Sequence, residues 1–267
     1  MWTAVALTTV MTLAPAQGIE LKNVRSTYGI MGETRKDDKL LPGDVLVMHF
    51  DIEGLKVKDN GQVLYSMGME LTKKGKAKPE FKRDPLDLEG ELSLGGTTLP
   101  SYAMTAIGTD SDPGQYTFKI TMKDRLGKTE KVLEKTFEVL TPRLGFIQVH
   151  LSAPSGEAVP PIAVPGQRIY VHSPLVGFKL GKDKLPHVSF EMTILDDANK
   201  PTVAKSFKGD IKTDLKATPT PGVMDFVPRA LVLNKPGKYK IVIKVKCNIS
   251  NESVEQTLNL TVLDKAN

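Results

Sequence analysis

Pro42-Gly43 returns at Pro165-Gly166, Pro113-Gly114-Gln115-Tyr116 at Pro236-Gly237-Lys238-Tyr239, and Val139-Leu140 at Val262-Leu263, each 123 positions later (165 − 42, 236 − 113, 262 − 139). Three landmarks at one offset leave almost no room for insertions, so the chain reads as one fold written twice. The residues between them agree in character: Gly54 with Gly177, Leu55 with Phe178, Met69 with Met192, Leu71 with Ile194, Met104 with Val227. The copies are expected at 17–141 and 142–267. Thr141-Pro142-Arg143 forms a junction too short to let them move freely, and the proline ends the last strand of the first copy.

Within a copy the hydrophobic period is two. In Lys238–Cys247 one phase reads Tyr239, Ile241, Ile243, Val245, Cys247 and the other Lys238, Lys240, Val242, Lys244, Lys246, a strand with one buried and one wet face. Its mate in the first copy places Tyr116, Phe118, Ile120 and Met122 against Gln115, Thr117, Lys119, Thr121 and Lys123. Further strands are expected at Ile19–Arg25, Val45–Ile52, Val63–Thr72, Leu86–Leu94, Ala103–Gly108 and Val132–Leu140, with counterparts one repeat later, parted by Gly, Pro, Asp and Asn clusters. No stretch holds an i, i+3, i+4, i+7 pattern over three turns. The expected fold is all-β: two consecutive antiparallel β-sandwich domains of about seven strands each.

Asp112-Pro113-Gly114-Gln115-Tyr116, entering a penultimate strand, resembles the tyrosine corner of immunoglobulin-like domains. The resemblance implies that Tyr116 and Tyr239 fill a sandwich corner while each hydroxyl bonds a nearby backbone group. Phe118 and Ile241 stand where antibody domains carry their second cysteine, so the likeness is to disulfide-free bacterial immunoglobulin-like modules of exported proteins.

The start of the chain bears on compartment. Trp2–Leu13 is uncharged and mostly apolar, and Ala14-Pro15-Ala16 is a small-x-small cleavage pattern, so residues 1–16 read as a signal peptide lacking a basic leading segment. The run is too short to span a bilayer, and no later run is long enough, so no transmembrane segment is expected. Cys247 is the only cysteine, which excludes an internal disulfide; with export, this points to a bacterial periplasm, cell surface or secreted location.

Catalytic motifs are missing: no G-x-S-x-G, no P-loop, no dinucleotide fingerprint, no H-E-x-x-H. His49 and His172 are repeat mates and read as outward strand residues, a metal or ligand role being the alternative. Asp110-Ser111-Asp112 and Asp196-Asp197 read as solvated loops, with calcium at a domain junction left open. Lys73, Lys74, Lys76 and Lys78, continuing to Lys82-Arg83, form the densest basic patch. It carries only Phe81 as an aromatic and has no counterpart in the second copy, so nucleic acid is not expected as a partner. The sequons at Asn248, Asn251 and Asn259 are expected to be inert in a bacterium, and Cys247 to be a buried apolar residue.

The expectation is therefore an exported, non-enzymatic protein without a cofactor, acting as a binding, adhesion or spacer module toward an envelope protein or glycan. Its candidate surfaces are the loops Lys73–Arg83, Leu94–Ser101 with Thr97 and Thr98 at its tip, and Thr213–Gly222, or an open sheet edge. The alternative is an accessory carbohydrate-binding module using Tyr102 or Tyr170.

Overall fold

The computed structural model describes residues 18–212, 222–226 and 230–264. The expected signal peptide and most of the Thr213–Gly222 loop lie outside the described residues. The first strands are β1 (Glu20–Thr27), β2 (Lys39–Leu40), β3 (Val45–Glu53), β4 (Gln62–Lys73), β5 (Phe81–Glu91), β6 (Thr98–Ala106), β7 (Gly114–Asp124) and β8 (Glu130–Val139). They are followed by β9 (Gly145–Phe146), β10 (His150–Ser152), β11 (Ala158–Val159), β12 (Ile162–Ala163), β13 (Arg168–His172) and β14 (Leu175–Val176). The last are β15 (Val188–Leu195), β16 (Phe207–Ile211), β17 (Ala230–Val232), β18 (Gly237–Cys247) and β19 (Ser253–Val262). The described chain is all-β.

Sheets of order β1-β3-β6 and β2-β8-β7-β4-β5 share one core, to which Leu46, Met48, Phe50 and Ile52 contribute from one side and Val63, Phe118, Ile120 and Met122 from the other. Sheets of order β11-β10-β13-β17 and β12-β19-β18-β15-β16 share a second, including Leu151, Ile169, Val171, Ile241, Ile243, Val245 and Cys247. The alternation explains both: from Tyr116 to Met122 on β7 and from Ile241 to Cys247 on β18 every second side chain is apolar and buried, while the lysines between them are more exposed. Four pairs of strands begin 123 residues apart, β2 with β12, β3 with β13, β7 with β18 and β8 with β19.

Two expected strands have different limits. β5 begins at Phe81, five residues ahead of the expected Leu86, because it runs along β4 as a ribbon with neither face fully covered, and a strand wet on both faces has no alternation to read. β5 bulges where Asp84 and Pro85 stand opposite the single residue Gly68 of β4, and an edge strand tolerates Pro85 because the missing N–H would point away from its neighbour. β6 begins at Thr98, so Thr98–Ser101, expected in a loop, are strand residues. Likewise Lys73 closes β4 and Lys82 and Arg83 lie in β5, which shortens the expected loop to residues 74–80.

The two cores meet through a small apolar cluster of Leu41, Ile147 and Val176, with Leu140 and Val223 beside it. Close approach there depends on glycine. A Cβ on Gly43 (φ +93°) would sit 3.1 Å from Val176, and one on Gly177 (φ +70°) would lie 2.0 Å from the Arg143 carbonyl oxygen.

Tyr116 is 1% exposed, stacks on Phe137 and donates its hydroxyl to the Asp112 carbonyl at 2.8 Å. Tyr239 donates to the Lys235 carbonyl at 3.0 Å but is only half-buried. Tyr116→Phe should therefore cost about 1–2 kcal/mol in urea unfolding, and Tyr239→Phe less than about 1 kcal/mol. Burial, with Glu80 and Asp112 nearby, pushes the Tyr116 hydroxyl from 10.0 up to about 12. The folded state thus holds this proton more tightly than the unfolded chain, and the stability it contributes, intact below pH 10, is lost as pH climbs from 10 towards 12. That alkaline loss should shrink in Tyr116→Phe; an unchanged pH profile would assign it to other groups.

Candidate functional site

The basic patch and the Thr97-Thr98 tip do not form one site. Lys73 pairs with Tyr116 at one end of the first core and Thr98 with Glu53 at the other, roughly 30 Å away by strand length. Lys73 is held by Asp112 at 2.9 Å, and that hydrogen bond and charge keep the Asp112 carboxyl below the usual carboxylate range. Lys74 donates to Gln115, while Lys76 and Lys78 stand exposed, as do Thr97 and Thr98. Asp196 accepts the Lys200 backbone N–H across a turn. Among the described residues no group of three His, Cys, Asp or Glu side chains is placed to hold a metal ion, the acidic runs included. Cys247 is fully buried against Lys179. Asn248 donates its side chain to Ser189, and the Asn259 backbone N–H donates to Glu33.

Two groupings were invisible in the sequence. The first is the buried pair Arg35–Asp44. Arg35 Nη2 lies 2.8 Å from both Asp44 carboxylate oxygens, Nε donates to the Thr27 carbonyl, and the guanidinium covers the Tyr28 ring at 4.4 Å. Burial pushes the Asp44 carboxyl up, opposed by the guanidinium beside it. The pair pins residues 28–38 to the start of β3, and from this loop Glu33 reaches Asn259 on β19, so the ion pair also supports the contact between the two cores. Neither residue stood out, because the repeat mate of Asp44 is Gln167, which makes no such pair.

The second is a cluster on β10 and β13. Ser152 Oγ lies 2.9 Å from His172 Nε2, and His172 Nδ1 lies 3.0 Å from Asp225 Oδ2, the atom order of a serine-hydrolase relay. His172 stacks on His150 at 4.7 Å with the rings 5° apart. His172 therefore pairs with a neighbour on the next strand, and His49 packs separately against Tyr102. Burial and the Arg25 charge hold the His49 imidazole below its ordinary pKa. Ser152 keeps only 1% of its surface, so no carbonyl carbon can reach Oγ without displacing its neighbours; the buried hydroxyl and the half-buried imidazole satisfy each other, with the exposed Asp225 on Nδ1.

What remains open is an edge. β6 ends the three-stranded sheet, and none of its nine residues, TLPSYAMTA, is charged. Tyr102 and Met104 project from its outer face, 41% and 49% exposed. Beside Met104 lies a groove of about 390 Å³ lined by Ile30, Val45, Val47, Ala106, His150 and Ala158. Tyr170, the other tyrosine considered for stacking, is half-buried on β13.

No protein-family model matches the chain, and no curated protein matches it. Solved structures resemble it weakly. Dimeric latent PorU from Porphyromonas gingivalis aligns at 11% identity over 94% of this chain and 21% of its own, with a TM-score of 0.38. A structure named BspA_C_WT aligns at 11% identity over 90% of this chain and 99% of its own, with a TM-score of 0.29. A glycosyl hydrolase family 2 member from Bacteroides cellulosilyticus aligns at 9% identity over 82% of this chain and 27% of its own, with a TM-score of 0.35. The chain thus spans a minor part of PorU and of the hydrolase. Among the described residues no helix is long and apolar enough to cross a membrane.

Arg35→Ala should destabilise by about 3–5 kcal/mol in urea unfolding, since it strands a buried carboxylate, and Arg35→Met with Asp44→Leu should recover most of that. A fluorophosphonate probe should leave the folded chain unlabelled, and Ser152 should react no faster than the other serines by peptide mapping; selective labelling of Ser152 would turn the cluster into a hydrolase site.

Proposed function

We propose that the chain is an exported, non-catalytic protein of two immunoglobulin-like β-sandwich modules, at 17–141 and 142–267. It acts at the bacterial envelope as a binding, adhesion or spacer element. The four strand pairs that begin 123 residues apart and the two tyrosine-to-backbone hydrogen bonds support the tandem immunoglobulin-like reading. The observation that carries the function is the β6 edge. A strand with unpaired backbone groups, no charge and two exposed side chains beside an apolar groove is fitted to accept another strand. Its neighbour β5 is blunted by Lys82, Arg83, Asp84, Pro85 and three further acids, so of these two edges β6 is the one left open.

Tyr102 favours a second reading, a carbohydrate module in which a sugar ring stacks on this exposed phenol. One experiment serves both. Immobilised chain is presented to an envelope fraction of the source organism, alongside Met104→Lys and Tyr102→Ala. Strand addition predicts a retained protein whose capture falls about tenfold in Met104→Lys. The sugar reading predicts a retained polysaccharide lost in Tyr102→Ala. Equal retention by all three forms would remove β6 from the function.

A further inference from the structure

We infer that the strand added to β6 is β6 of a second copy of this chain, paired antiparallel about a two-fold axis at Ala103. The inference rests on β6 being a binding edge and adds the identity of its occupant. An axis at Ala103 sets Tyr102 opposite Met104 of the other copy, twice, and Ser101 opposite Thr105. Both are pairings without charge, between an aromatic ring and a thioether on the outer row and between hydroxyl groups on the inner row.

The neighbouring strand supplies the charge complementarity. β5 and β6 line the same edge, joined by residues 92–97, and Leu99 packs on Gly90: a Cβ added at Gly90 would meet the Leu99 side chain at 3.1 Å. The strands run in opposite directions, so Leu99 beside Gly90 places Leu86 level with Ala103 (99 + 90 = 103 + 86). The two-fold axis that centres β6 on Ala103 therefore centres β5 on Leu86, which is 44% exposed.

Charge is distributed unevenly about that centre. Lys82 and Arg83 outnumber Asp84 on one side of Leu86, and Asp87, Glu89 and Glu91 stand on the other. An antiparallel second copy brings the basic end of each β5 to the acidic end of its mate. A parallel approach would set like charges together. Among the described residues Arg83 and Glu89 have no ion-pair partner, Glu89 accepting instead from Gln62 Nε2 at 2.9 Å, and the edge is uncharged where the backbones must meet.

The test is sedimentation equilibrium of the full chain, with circular dichroism to verify that each variant is folded. The chain should dimerise with concentration, and Met104→Lys should weaken the dimer by at least about tenfold. Lys82→Glu with Arg83→Glu makes β5 wholly acidic, and Glu89→Lys with Glu91→Lys makes it basic at both ends. Each of these forms should dimerise less well than the natural chain, and an equimolar mixture should form a heterodimer more stable than either homodimer. A monomeric natural chain, a dimer indifferent to Met104→Lys, or a mixture no tighter than its components overturns the inference. If the chain is monomeric while envelope capture still depends on Met104, only self-pairing falls; if both are lost, the binding edge falls with it.

Discussion

The buried pair between Arg35 and Asp44 holds the loop that carries the first core to the second, beside the apolar cluster of Leu41, Ile147 and Val176. A carboxylate and a guanidinium taken out of water lose several kcal/mol of hydration each, and only close geometry with further hydrogen bonds repays that loss. Close geometry and further bonds are both present: two contacts at 2.8 Å from Nη2 to the carboxylate, the Thr27 carbonyl on Nε, the Val45 carbonyl on Nη2, and the Val45 N–H on Asp44. The pair fixes a loop that local propensity alone would leave loose. Tyr28 and Glu33 sit on that loop, and through Glu33 the first core touches the strand that closes the second.

The surface is governed by how each sheet ends. An unpaired edge invites another strand, and β5 is guarded against this with charges and Pro85. β6 has Pro100 near its start but no charge along its length, and it borders an apolar groove between the two cores. The contrast is between adjacent strands joined by a short turn, so overall composition cannot account for it. A net charge of +5 spread over the chain says little about either edge, whereas the order of charges along β5 sets the direction in which another copy can approach.

The Ser152–His172–Asp225 chain separates atom order from access. The distances match a hydrolase relay, yet the hydroxyl is enclosed and serves to satisfy an imidazole nitrogen beneath a stacked ring. A buried hydroxyl and a half-buried imidazole must each find partners, and on the adjacent antiparallel strands β10 and β13 they find each other, with the exposed Asp225 on the other ring nitrogen. Exposure separates the two cases, and exposure here belongs to Tyr102 and Met104.

Period-two alternation is a local property, set by which phase of a strand meets the core. The sequence therefore carried the all-β class, the burial of Tyr116, Phe118, Ile241 and Cys247, and the strands β3, β4, β7, β8, β18 and β19 to within a few residues. β5 and the start of β6 escaped because an edge strand with wet or uneven faces leaves no periodic trace. The Lys73 patch and the Thr97-Thr98 tip were each legible as exposed, but only the strand directions put them at opposite ends of one core. Arg35 with Asp44, and Ser152 with His172 and Asp225, are separated by 9, 20 and 53 residues. Their meeting depends on how loops and strands cross in space, and hydrogen bonding between such residues leaves no pattern in the order of the chain. The sequence by itself determined which side chains must be hidden from water; the tertiary structure decided which edge stayed open, because an edge exists only once every other strand has found its neighbour.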